Sequence, residues 1–142
     1  MDMNAIEYGI ICQIDDEKRI VKNVDKFLDS LGYRKMYKWS PHGVRDPDHP
    51  EKEPRYDHYY CQFMKEQPRW YFDLYPNVDL DGRARFPEHP EMAWTLFVRK
   101  TFPEQNSRAD DAKLDKFFSS LLAALGFPAK ILHQYREDEN RL

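Results

Sequence analysis

The chain has 142 residues, with 22 Lys and Arg against 25 Asp and Glu, a formal net charge of −3. Hydrophobic residues make up 41% and aromatics 15%, with nine Tyr, nine Phe and three Trp, so one domain with a ring-rich core is expected. No apolar run approaches the ~20 residues of a membrane span, the first residues lack a basic secretory pattern, and the slight acidity argues against a duplex-DNA stripe.

In chain order, residues 5–14 are Ile-rich and read as a strand that stops at Asp15-Asp16. Residues 16–31 follow as an amphipathic helix with Ile20, Val24, Phe27, Leu28 and Leu31 on one face. Asp16 and Glu17 sit at its positive end, and Gly32 suits the left-handed position that ends it. Tyr33 to Trp39 reads as a second strand. Pro41, Gly43, Pro47, Pro50 and Pro54 then predict a long loop over 40–56.

Three strand-like runs come next. Asp57 to Met64 is joined to Arg69–Tyr75 by a short Glu66-Gln67-Pro68 turn. In the second run Trp70, Phe72 and Leu74 alternate with Tyr71, Asp73 and Tyr75. A loop over 76–90 leads to Met92–Phe102. There Met92, Trp94, Leu96 and Val98 face one way, and Ala93, Thr95, Phe97 and Arg99 the other. Residues 108–125 predict a second helix with Leu114, Phe117, Phe118, Leu121, Leu122 and Leu125 in one stripe. Ser107 with Asp110 forms a capping-box pattern at its start, and Gly126 and Pro128 end it. Ala129 to Tyr135 reads as a last strand before a charged tail at 136–142.

Asp25-Lys26-Phe27 recurs as Asp115-Lys116-Phe117, and Leu31-Gly32-Tyr33 is echoed by Leu125-Gly126-Phe127. Two strand-bound helices near the two ends point to a pseudo-symmetric α+β sandwich in one domain. Its sheet would have five to six antiparallel strands, with both helices on one face. The order β-α-β-β-β-β-α-β follows a ferredoxin-like plan with an extra hairpin.

If the helices cover Trp70, Phe72, Leu74, Trp94, Leu96 and Val98, the other face presents Tyr71, Asp73, Tyr75, Thr95, Phe97 and Arg99. Rings with Arg between them match the composition of protein-interface centres and of base-stacking platforms. A second small core or a homodimer contact would use the same rings. Arg83 and Arg85, in the preceding loop, are placed to reach its rim and hold a carboxylate or phosphate.

Catalytic motifs are scarce. None of the five histidines has Ser or Thr two residues later, Gly-x-Ser-x-Gly is absent, and the five glycines are isolated. His49 and His89 lie in similar proline-bound frames that read as solvated turns, so neither a metal nor a cofactor is assigned. Cys12 and Cys61 are 49 residues apart and read as small buried hydrophobes of a reducing, cytoplasmic protein.

The expectation is a non-catalytic binding protein of inhibitor, immunity or regulatory type. It would grip a partner protein through Tyr71, Asp73, Tyr75, Phe97, Arg83, Arg85, Arg99 and His58, together with the loop 40–56. The alternative is an enzyme binding a nucleotide or phosphate ligand through the three arginines, with His58 or Asp73 moving protons.

Overall fold

A computed structural model of the chain describes residues 4–44, 48, 56–64, 69–78, 83–101 and 111–136. Strand β1 (Asn4–Ile10) leads through a 3-10 turn (Ile14–Asp16) into helix α1 (Glu17–Ser30). Strands β2 (Arg34–Val44), β3 (Tyr56–Met64), β4 (Arg69–Pro76) and β5 (Trp94–Thr101) follow. Helix α2 (Asp111–Ala124) and strand β6 (Ala129–Arg136) complete the fold. All six strands form one antiparallel sheet in the order β2-β3-β4-β5-β1-β6. The α+β sandwich read from the sequence is therefore the architecture of the protein.

Both helices pack on the face that alternation assigned to the core. Ile20, Val24 and Leu28 of α1 and Leu121 of α2, with Leu125 just beyond it, are fully buried against Ile6, Tyr8, Trp70, Phe72, Leu96 and Val98. Each such large apolar side chain contributes about 1.5–3 kcal/mol relative to exposure. The helices touch through Phe27 and Phe117, whose ring centroids are 5.6 Å apart. The Asn23 amide of α1 also donates to the Leu125 carbonyl at 2.7 Å. Gly32 (φ 83°) and Gly126 (φ 77°) take the left-handed conformation that closes a helix, as their positions predicted. Among the described residues no helix is long and apolar enough to cross a membrane.

Several boundaries differ from the sequence reading. β1 ends at Ile10 and the 3-10 turn begins only at Ile14, so Cys12 lies beyond the strand, in an isolated bridge to Met92. Leu31 falls off the apolar stripe and is 39% exposed. β2 runs on to Val44, through Pro41 and Gly43, which proline counting had placed in a loop. An edge strand tolerates this because proline lacks only a donor that need not face a neighbour. The rest of that loop, apart from Asp48, the β3–β4 turn, the Ser107–Asp110 cap and the tail beyond 136 lie outside the described residues.

Both cysteines are free thiols. Burial pushes the Cys61 thiol up to about 12 and the Cys12 thiol up to about 11, and it also raises the Tyr8 phenol. Because these groups hold their protons more tightly folded than unfolded, their contribution to stability is complete below the unfolded thiol value, near pH 9. It is lost as pH rises through 11 and 12. The melting temperature is expected to fall over that window, and to fall less steeply in Cys61→Ala. Calorimetry at stepped pH checks this, and parallel slopes for the two proteins would contradict it.

Candidate functional site

The face away from the helices is built by strict alternation, and the strand register lines its side chains into rows. One row runs Tyr37, Gln62, Tyr71, Arg99, Ala5 across β2, β3, β4, β5 and β1. The next runs Tyr60, Asp73, Phe97, Glu7 and His133 from β3 to β6. A third contains Tyr75 and Thr95, with His58 beside Tyr75. The structure thus brings Tyr71, Asp73, Tyr75, Phe97, Arg99 and His58 to one face, as expected. Of these, His58, Tyr71, Asp73, Tyr75, Phe97 and Arg99 are all partly buried rather than open.

The rings and cations interleave. Arg99 lies 4.7 Å from the Tyr71 ring centroid, and Tyr60 sits 6.4 Å away on the β3 side. His58 stacks on Tyr75 at 4.0 Å and 7°, and the Arg85 guanidinium is 5.3 Å from the same ring on the β5 side. Tyr71 and Tyr75 therefore each have a ring neighbour on the β3 side and one guanidinium near the ring, at a distance where a cation is attracted to a π face. Burial raises the Tyr75 and Tyr60 phenols, and the Asp73 carboxylate adds to both, so they are neutral hydroxyls at physiological pH.

Arg85 is placed differently from the sequence expectation. It is not a rim residue but lies on the face itself, where it donates to Thr95 Oγ1 at 2.9 Å and to Glu7 Oε2 at 3.2 Å. The Glu7 side chain is only 9% exposed, so this is a largely buried ion pair. The loop holds Arg85 there through Asn77, itself buried. The Asn77 amide donates to the His89 carbonyl at 3.2 Å, and its Oδ1 accepts the Phe86 N–H at 2.8 Å. Arg83, six residues past Asn77 on the same loop, is exposed.

His58 Nε2 and Asp73 Oδ1 are 2.8 Å apart, both about four-fifths buried. A carboxylate in that position orients an imidazole as a general base requires. The thiol nearest in sequence, Cys61, points to the opposite face of β3 and is raised, which removes it as a nucleophile for His58. Among the described residues no group of three or more His, Cys, Asp or Glu is gathered for a metal. His89 is drawn instead toward Glu91, at 3.5 Å.

Sequence reasoning missed Glu7, Tyr60 and Asn77 as parts of this face. Glu7 carried a signal, being a lone charge between Ile6 and Tyr8 and so opposite the core by alternation. Asn77 carried none, because its role depends on a loop closing back on β4. Fold and face together define an α+β sandwich with an aromatic and cationic sheet surface. The chain matches no known family model, and no characterised protein is significantly similar to it in sequence.

Proposed function

We propose that this protein is a non-catalytic cytoplasmic binding protein, of inhibitor, immunity or regulatory type. It engages a partner protein through the Tyr71, Tyr75 and Phe97 face. Arg85 and Arg99 lie within the contact and Arg83 borders it, and the segment 40–56 adds to it. The observation that carries this reading is the packing of Tyr71 between Arg99 and Tyr60 and of Tyr75 between Arg85 and His58. Rings held rigid by their neighbours lose little conformational entropy when a partner covers them, and Tyr with Arg is the composition of interface centres. The same packing occupies the ring faces that a nucleobase would need.

A second reading rests on the His58–Asp73 pair. There the arginines hold a phosphate or nucleotide and His58 or Asp73 transfers a proton. A thermal-shift screen with nucleotides separates the two, since a ligand that binds only the folded state raises the melting temperature.

With a partner recovered from the protein's own host lysate, Tyr71→Ala and Phe97→Ala are each expected to weaken binding by about 2 kcal/mol, roughly thirtyfold. Titration calorimetry with circular dichroism controls reads this directly. Unchanged affinity in both folded variants would remove the face from the interface.

A further inference from the structure

Two of the cations on the open face are matched within it. Arg85 meets Glu7 at 3.2 Å, and His58 meets Asp73 at 2.8 Å. Arg99 is not matched. Among the described residues it makes no ion pair and no hydrogen bond, and its guanidinium carbon lies 4.7 Å from the Tyr71 ring centroid. The side chain is partly buried, and its Nε is shut from solvent without a partner. The two terminal nitrogens, also without a protein partner, keep their contact with solvent. The inner part of the fork is thus sunk beside Tyr71, and its outer edge is open.

Strand register explains the isolation. The direct neighbours of Arg99 across the sheet are Tyr71 on β4 and Ala5 on β1, a ring and a methyl group. The carboxylates of the face, Asp73 and Glu7, stand in the adjoining row on either side of Phe97, and each holds its own cation. Arginine is charged at every physiological pH and presents its N–H groups in a fixed fork. A partly desolvated guanidinium without a counter-charge is a cost that an incoming anion relieves, and two parallel N–H groups fit a carboxylate. Asp73 and Glu7 limit the charge of that anion. They stand one row away, about 7 Å along the strands, and oppose a phosphate dianion more than a carboxylate monoanion.

We propose that Arg99 anchors a carboxylate of the partner protein, an Asp or Glu side chain set among apolar residues that cover Tyr71 and Phe97. This rests on the partner-binding reading above and deepens it by naming the chemistry of the partner. The contact segment is acidic where it crosses β5, and Arg85, already paired with Glu7, contributes shape and not charge.

The test uses short peptides selected from a random-sequence phage library on the full chain, keeping those that lose binding to Tyr71→Ala. The retained peptides are expected to share one Asp or Glu beside apolar residues. Changing that residue to Asn or Gln should weaken binding to the wild type at least about tenfold, and to Arg99→Gln less than about twofold, by fluorescence anisotropy. Arg99→Lys keeps the charge but loses the fork and should fall between the two. Lys22→Gln removes an equal charge from the exposed side of α1 and should bind every peptide as the wild type does. Retained peptides with no shared acidic residue, or one whose loss costs the same in both backgrounds, would overturn the Arg99 assignment and leave the aromatic face standing. Displacement of the peptides by inorganic phosphate and not by acetate, at equal ionic strength, would overturn it in favour of a phosphate ligand. If no selected peptide depends on Tyr71, the assignment and the partner-binding reading fall together. Should Arg99→Gln fail to fold, the wild type decides through the NMR signal of the Arg99 Nε–H, which burial protects from exchange. That signal is expected to shift with an acidic peptide and not with its Asn or Gln counterpart, and equal shifts would overturn the assignment.

Discussion

Trp70→Ala is expected to destabilise the fold by about 3–5 kcal/mol, the range for truncating a large buried aromatic. Trp70 is 1% exposed at the centre of the helix-covered face. Its ring stacks on Phe117 of α2 at 4.0 Å and 12°, and Phe118 meets it edge-on at 5.6 Å. Its indole N–H donates to the Tyr33 hydroxyl at 3.1 Å. Removing the ring therefore opens a cavity under α2, breaks the contact that holds this helix to β4, and leaves Tyr33 short of a donor. Tyr71, one residue on, points to the opposite face and is partly exposed. Its replacement by alanine should cost only about 1 kcal/mol, although it disturbs binding more. Denaturant melts of the two variants give the contrast. A Trp70→Ala protein no less stable than Tyr71→Ala would mean that the two faces have been assigned the wrong way round.

Arg85→Ala should cost about 2–3 kcal/mol, an unusual penalty for a loop arginine. The substitution strips the cation from a carboxylate that is 9% exposed and removes the donor to Thr95, which is fully buried. Breaking a fully buried pair costs about 3–5 kcal/mol, and the lower figure here reflects the 30% exposure of the Arg85 side chain. The cost comes from the stranded charge and not from lost attraction. Adding Glu7→Gln to Arg85→Ala is therefore expected to recover at least about half of the loss. Chemical denaturation of the single and double variants measures it. If the double variant is weaker than Arg85→Ala by the full cost of Glu7→Gln, the two side chains act independently. The Arg85 contact to Tyr75 also ties this pair to the proposed interface, so Arg85→Ala should uncover one side of the Tyr75 ring while His58 stays stacked on it.

The two layers were legible in the sequence because alternation and helical spacing are local. Trp70, Phe72 and Leu74 alternate against Tyr71, Asp73 and Tyr75, and that period of two decides which side chains share a face before any partner strand is known. The same rule placed Phe97, Arg99 and Thr95 together. It fails where context overrides local preference. Pro41 and Gly43 signal a loop, yet β2 is an edge strand and absorbs both. Leu31 keeps the apolar spacing of α1 but lies past its last turn, and it is left 39% exposed.

What the amino-acid order determined alone is the set of elements, the division of each strand into a core side and an open side, and the helix stops at Gly32 and Gly126. What only the tertiary structure decided is which strands neighbour one another, and hence which charges meet. Glu7 and Arg85 are 78 residues apart in sequence and touch because β1 inserts between β5 and β6 while the loop after β4 closes over them. His58 and Asp73 meet through the β3–β4 register. Periodicity is a property of a few consecutive residues, whereas an ion pair is a property of distance in space, which chain order constrains only after the sheet has closed.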